Sequence, residues 1–232
     1  MSETINIRYT FTHAADTVIY DVALDAQTLE IIFDAPDVPP AWTALEFEQC
    51  KHCPLSSADA PHCPLALSLD RLVRTCGRLL SYEAMDARVD MPDKTILKQT
   101  TAQKAISSLL GLHMATSHCP SMKLLRPMAR FHTPFASREE TIYRSASAYL
   151  LGQYFLWHRG KLVDFDLDGL QQAYSKIHAV NVGIARRLRH VSEGDANLNA
   201  LVLLDLLAQQ MPTAIGDRLN EIEYVFAPYF DE

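Results

Sequence analysis

Cys50, Cys53, Cys63 and Cys119 are the residues whose type and spacing can do chemistry in this chain. Cys50 and Cys53 have the C-x-x-C spacing that lets two thiolates grip one metal through a tight turn. Cys63 follows after a Ser-, Ala-, Asp- and Pro-containing stretch that suits a loop folding back. Three thiolates leave a tetrahedron incomplete, and the surroundings of Cys119 mark it as the fourth. Cys53-Pro54, Cys63-Pro64 and Cys119-Pro120 are all Cys-Pro pairs, where five cysteines and twelve prolines in 232 residues would give well under one by chance. A proline after a ligand removes a competing N–H and pins the chain leaving the site. His62, His118 and His52 are substitute ligands, with His113 also near, whereas Cys76 lies in a helical pattern and serves packing.

Cys-Pro recurs at iron–sulfur ligands, and structural zinc sites often use paired C-x-x-C knuckles, of which this chain has one. The pattern therefore predicts a Cys₄ site holding a [4Fe–4S] cluster, with zinc as the alternative. Three rival readings stand beside it. C-K-H-C could be a redox dithiol, although such motifs usually open a helix after a strand and this one follows a Pro-rich loop. A Cys-Pro thiolate could ligate haem, given an apolar slot. The cysteines could also simply pack as reduced thiols in the core.

Near Cys119, Arg126, Arg130 and His132 fall in one short basic segment. They could cradle an anion or offset the charge of a thiolate site, or form a solvated loop paired with carboxylates elsewhere. Further on, Asn181, Arg186, Arg187, Arg189, Asp195, Asn197 and Asn199 could line a polar pocket. The plainer reading has Ser192 or Asp195 capping a helix and the arginines pairing on its surface.

The elements that must position these residues follow from periodicity. INIRYTF, TVIYDVAL and TLEIIFDA alternate apolar and polar positions and predict a three-stranded antiparallel meander. PDVPPAW breaks the sheet, and Pro64 opens a helix through LALSLDRLVRTC. YEAMDARVDM and KTILKQTT pair as a hairpin. After Thr101 the pattern turns helical: AQKAISSLLGLHM, then an irregular RPMARFHTPF. A long helix capped by Ser137 and Glu140 runs to about His158, and Gly160 ends it. The next helix opens at Asp166 or Asp168, DANLNALVLLDLLAQQM forms another that ends at Met211-Pro212, and a last one covers 215–226. The expected fold is α+β, an N-terminal antiparallel sheet (residues 1–100) packed with a C-terminal helical bundle (101–232), one structural unit joined by the shared site.

Composition narrows the function classes. Net charge is −7, distributed as −7 over residues 1–100, +7 over 101–191 and −7 over 192–232. Acidic flanks can neutralise the basic middle within one fold, and overall acidity disfavours nucleic acid as a partner. No run of about 18 uninterrupted apolar residues predicts a membrane span, and the first residues lack a secretory pattern. A cytoplasmic location follows, where a cysteine cluster points to metal or catalysis rather than disulfides. There is no P-loop, G-x-G-x-x-G, G-x-S-x-G or H-E-x-x-H, so hydrolase, kinase and dehydrogenase chemistry has no foothold.

CKHCPL…HCPLALSL, SLLGLHMATSHCPSMKLLRPMARFHTPF and DANLNALVLLD together resemble a bacterial family that is a domain of unknown function. The resemblance implies that the whole chain is one evolutionary unit. The expectation for function is an iron–sulfur redox sensor or electron-transfer module. The alternatives are a zinc-stabilised module binding a protein partner or itself, and a thiol oxidoreductase using the C-x-x-C pair.

Overall fold

The computed structural model describes residues 3–230. Strands β1 (Thr4–His13) and β2 (Asp16–Asp25) form a hairpin in which Tyr9 pairs with Tyr20. β3 (Ile31–Ile32), β4 (Ala84–Asp90) and β5 (Thr95–Thr101) complete one antiparallel sheet in the order β3-β2-β1-β4-β5. Alternation puts one face of the sheet inside: Ile7, Tyr9 and Phe11 of β1, Tyr20, Val22 and Leu24 of β2, and Met85, Ala87 and Val89 of β4 are buried. The third strand is shorter than its sequence pattern predicts. The Asp25 carboxylate accepts the N–H groups of Gln27 and Thr28, and Leu29 takes a left-handed φ of 58°, so the chain turns before it can pair.

Helix α1 (Pro64–Cys76) starts with proline at its first turn and buries Leu65, Leu69, Leu72, Val73 and Cys76. α2 (Ala102–Thr116) runs directly out of β5 and packs on α1 and the sheet. The segment expected to be irregular contains a short helix, α3 (Arg126–Arg130), before the chain reaches α4 (Arg138–His158). There Ser137 and Glu140 form the expected capping box, and Gly160 follows at φ 65°. In the outer half of α4, Leu151, Phe155 and Trp157 are more than half exposed.

α5 (Asp168–Arg189) and α6 (Ala196–Gly216) pack along one another, and α6 also packs on α2. α6 does not stop at Pro212 as the sequence predicts. Met211, Ala214 and Ile215 are buried, so packing carries the helix through the missing N–H to Gly216. The last predicted helix is correspondingly reduced to α7 (Asn220–Glu223) and a 3₁₀ turn, Tyr224–Tyr229. Asp195 stands at the α6 N-cap position but makes no cap bond. Its carboxylate accepts from the Ser81 N–H at 2.7 Å and hydroxyl at 2.8 Å, tying α6 to the β4 entrance.

α6 is long and apolar enough to suit a bilayer by length and composition, with a mean hydropathy of 1.2. In the fold it lies against α5 and α2, and Asp205 at its middle accepts from Asn181 at 3.1 Å and bonds His178 at 2.8 Å. Acidic flanks and basic middle pair across the chain: Glu30 with Arg126, Glu221 with Arg138, and Glu48 with Arg186.

Candidate metal centre

The loop carrying Cys50 and Cys53 is closed at its base by main-chain bonds. Ala44 and His62 form a bridge, the Leu45 N–H donates to the Pro61 carbonyl at 2.9 Å, and the Cys63 N–H to the Thr43 carbonyl at 2.7 Å. Within the loop the Cys53 N–H donates to the Cys50 carbonyl at 3.0 Å, the tight turn that C-x-x-C spacing allows. Cys63 is the residue before Pro64, at the N-cap of α1, where the helix dipole favours negative charge.

Cys119 arrives from the other half of the chain. α2 ends when Ser117 turns away, its N–H on the His113 carbonyl, and the Met122 N–H closes a turn on the Cys119 carbonyl at 3.0 Å. The Ser121 backbone lies close enough to the Cys119 sulfur to favour its thiolate.

Cys119 stands within electrostatic reach of Cys50, Cys53 and Cys63, and Cys50 within reach of Cys53 and Cys63. Burial pushes the Cys50 thiol up to about 11, and Cys63 and Cys53 add to the rise. Burial likewise pushes Cys119 up to about 12, with contributions from Cys63, Cys50 and Cys53. All are free cysteines; Cys63 is buried and the others are half-buried. Among the described residues no three His, Cys, Asp or Glu side chains form a group that could hold a metal ion as they stand. A bound metal or cluster would therefore require side chains to turn toward it. Cys76 is separate, fully buried in the core on α1.

Two residues of α5 support this centre and carry no sulfur. Gly183 faces Cys50 so closely that a Cβ there would lie 2.7 Å from its Sγ. One turn on, Arg187 is buried, with 1% exposure, rather than paired on the surface as the sequence suggested. Its guanidinium donates to the carbonyls of Trp42 at 2.6 Å, Ala44 at 2.8 Å and Leu45 at 2.9 Å, and its charge favours the Cys50 thiolate. Only the spacing of four between Gly183 and Arg187 hinted that one helix face met the cysteine loop.

The remaining candidates are placed as follows. His62 bonds the Thr43 hydroxyl at 2.9 Å, and His118 lies 3.4 Å from Glu30, so both have other partners. His52 is exposed in the loop. His113 is buried edge-on against Tyr20, and desolvation drives it down to about 3. Arg126 holds Glu30 at 2.7 Å and the Ser117 carbonyl at 3.3 Å, two residues from Cys119. Arg130 lies over the Phe131 ring, and His132 bonds the Tyr9 hydroxyl at 2.5 Å. The basic segment is thus dispersed rather than gathered on one anion.

No curated protein and no solved structure matches the chain. One family model does match, over residues 5–227, and spans sheet, cysteine centre and helices together. The chain belongs to that family, the domain of unknown function DUF6901.

Proposed function

We propose that Cys50, Cys53, Cys63 and Cys119 hold a [4Fe–4S] cluster and that the protein is a redox sensor or electron-transfer module. One observation carries this reading: Cys119, from the helical half, reaches electrostatic contact with all three cysteines of the 50–63 segment. Four thiols drawn together from distant sequence, with a helix N-terminus, the Ser121 backbone and a buried guanidinium beside them, suit a site built to carry negative sulfur. The thiols are neighbours but not gathered for a single ion. One tight C-x-x-C pair joined by two cysteines from other segments, each followed by proline, suits a cluster, whose irons hold thiolates further apart than the roughly 3.8 Å of a ZnS₄ tetrahedron.

A zinc-stabilised module that binds a protein partner or a second copy is the second reading, favoured by the link that one ion would make between the two halves. The thiol-oxidoreductase reading is weaker. Reactive cysteines have lowered pKa values, and Cys50 is pushed up to about 11.

Anaerobic purification followed by a visible spectrum and joint assay of iron, sulfide and zinc tests the proposal. The cluster gives a broad band near ~400 nm with iron and sulfide in equal amounts. Cys119→Ser should remove or sharply reduce loading, while Cys76→Ala leaves it intact. Colourless protein with stoichiometric zinc would select the second reading. Metal-free protein of full stability would sink both.

A further inference from the structure

β5, α2, α3, α4, α5 and α6 line a half-open cavity of about 700 Å³, within the range that holds small-molecule ligands. Its walls are largely apolar, with Met114 of α2, Met128 of α3 and Leu204 and Leu207 of α6 among them. Methionines adapt their shape to a ligand. Every charged residue in the lining is a cation: Lys98, Lys104, Arg138 and Arg144. That reverses the sign of a chain whose net charge is −7. Arg138 is paired with Glu221, but Lys98, Lys104 and Arg144 are in no ion pair among the described residues.

Arg144 is half-buried, one Nη2 donating to the Met128 carbonyl at 2.8 Å and the Phe131 carbonyl at 3.0 Å. Two main-chain carbonyls thus hold its charge at the cavity, with Glu140 and Tyr174 acting on it electrostatically. His132 also lines the cavity. Its Nε2 lies 2.5 Å from the Tyr9 hydroxyl, which is also within reach of the Ser108 carbonyl and hydroxyl, and burial keeps the imidazole neutral.

A largely apolar cleft whose charged lining is cationic, with no carboxylate, complements a molecule that is apolar over most of its length and anionic at one end. We propose that this cavity binds a fatty-acid-like monocarboxylate, its head taken by Arg144 and the rim lysines, and its tail laid against Met114, Met128 and Leu207. The site is distinct from the cysteine centre but shares a wall with it. Met122, in the lining, closes the turn on the Cys119 carbonyl.

Calorimetric titration of the full chain with decanoate, below its micelle concentration, tests this against decanol and decylammonium as the neutral and cationic counterparts. Decanoate should bind one-to-one, with decanol at least about tenfold weaker, as loss of a charge-assisted hydrogen bond implies, and decylammonium weaker still. Lys98 and Lys104 are exposed, so the double variant K98Q/K104Q should fold normally and lose about three- to tenfold in decanoate affinity. Ser107→Trp, placing an indole in the lining, should abolish binding. Decanol or decylammonium binding as tightly as decanoate would overturn the proposal, as would unchanged affinity in K98Q/K104Q. So would co-sedimentation with phosphatidylglycerol vesicles by a protein that does not bind monomeric decanoate, since that places the anion specificity at a membrane surface.

Discussion

Gly183 of α5 and Cys50 of the cysteine loop touch backbone to sulfur: a Cβ on residue 183 would stand 2.7 Å from the Cys50 Sγ and 3.5 Å from its Cα. The helix can approach the loop only because this residue has no side chain. Gly183→Ala should push Cys50 away from its three neighbours, lower the metal or cluster content of purified protein, and cost about 1–3 kcal/mol as overpacking does. Gly152, on α4, is the matched control, because nothing lies within 4 Å of its added Cβ. Gly152→Ala should leave metal content unchanged and raise stability by up to ~1 kcal/mol from helix propensity alone. Urea denaturation and metal analysis of both variants distinguish a steric effect at Cys50 from a general effect of glycine replacement.

Arg187 locks the approach to the loop from the same helix. Its three carbonyl acceptors belong to Trp42, Ala44 and Leu45, and of these only Ala44 keeps another donor among the described residues, the Phe47 N–H at 3.2 Å, if the guanidinium is lost. Arg187→Met keeps the apolar stem and should cost about 2–4 kcal/mol in urea unfolding, the range for charge-assisted bonds lost and partners left unpaired. Arg187→Lys should recover little of this, because one ammonium cannot match the forked geometry. A stability loss under 1 kcal/mol in Arg187→Met would show that the loop is held by other contacts.

The sequence and the structure agree best where one pattern controls one element. Alternation in β1, β2 and β4 maps directly onto buried Tyr9, Val22 and Val89, and the capping box at Ser137 places the start of α4. The cysteine segment was legible for a different reason: cysteine is rare and its proline neighbours repeat. Gly183 and Arg187 were not legible as parts of the centre, since their meaning lies in contacts with residues 42–50, more than 130 positions away. Nothing local marks an arginine in ARRLRH as buried while Arg186 beside it reaches Glu48 at 3.9 Å. Pro212 misled for the opposite reason: a strong local breaker lost to the buried side chains around it.

His113 makes the fold sensitive to acid. It is fully enclosed beside Tyr20, and desolvation holds its native pKa near about 3 against an ordinary value of 6.5. The unfolded chain therefore takes up a proton that the native state refuses. Stability is fully present above pH 6.5 and declines as pH falls from there toward 3, by up to about 4 kcal/mol from this group. His113→Phe, of similar shape and able to keep the edge-on contact, should flatten this part of the stability–pH curve. Chemical denaturation at a series of pH values between 7 and 3, run on both proteins, checks it. Parallel curves would mean that acid acts through other groups.

Metal loading should itself release protons, and their number reports how many cysteines join. With Cys50 pushed up to about 11 and Cys119 to about 12, these thiols hold their protons at neutral pH until a cation displaces them. Zinc added to reduced apoprotein in weak buffer at pH 7 should therefore release close to ~4 protons per ion if all four cysteines coordinate. Apparent affinity should fall as pH falls, by on the order of tenfold per thiolate per pH unit. An indicator dye reads the release directly. Cys76→Ala should leave it unchanged, since that buried thiol lies apart on α1, while Cys119→Ser should lower it by one. Release of two protons or fewer would confine binding to the C-x-x-C pair and separate Cys63 and Cys119 from the centre.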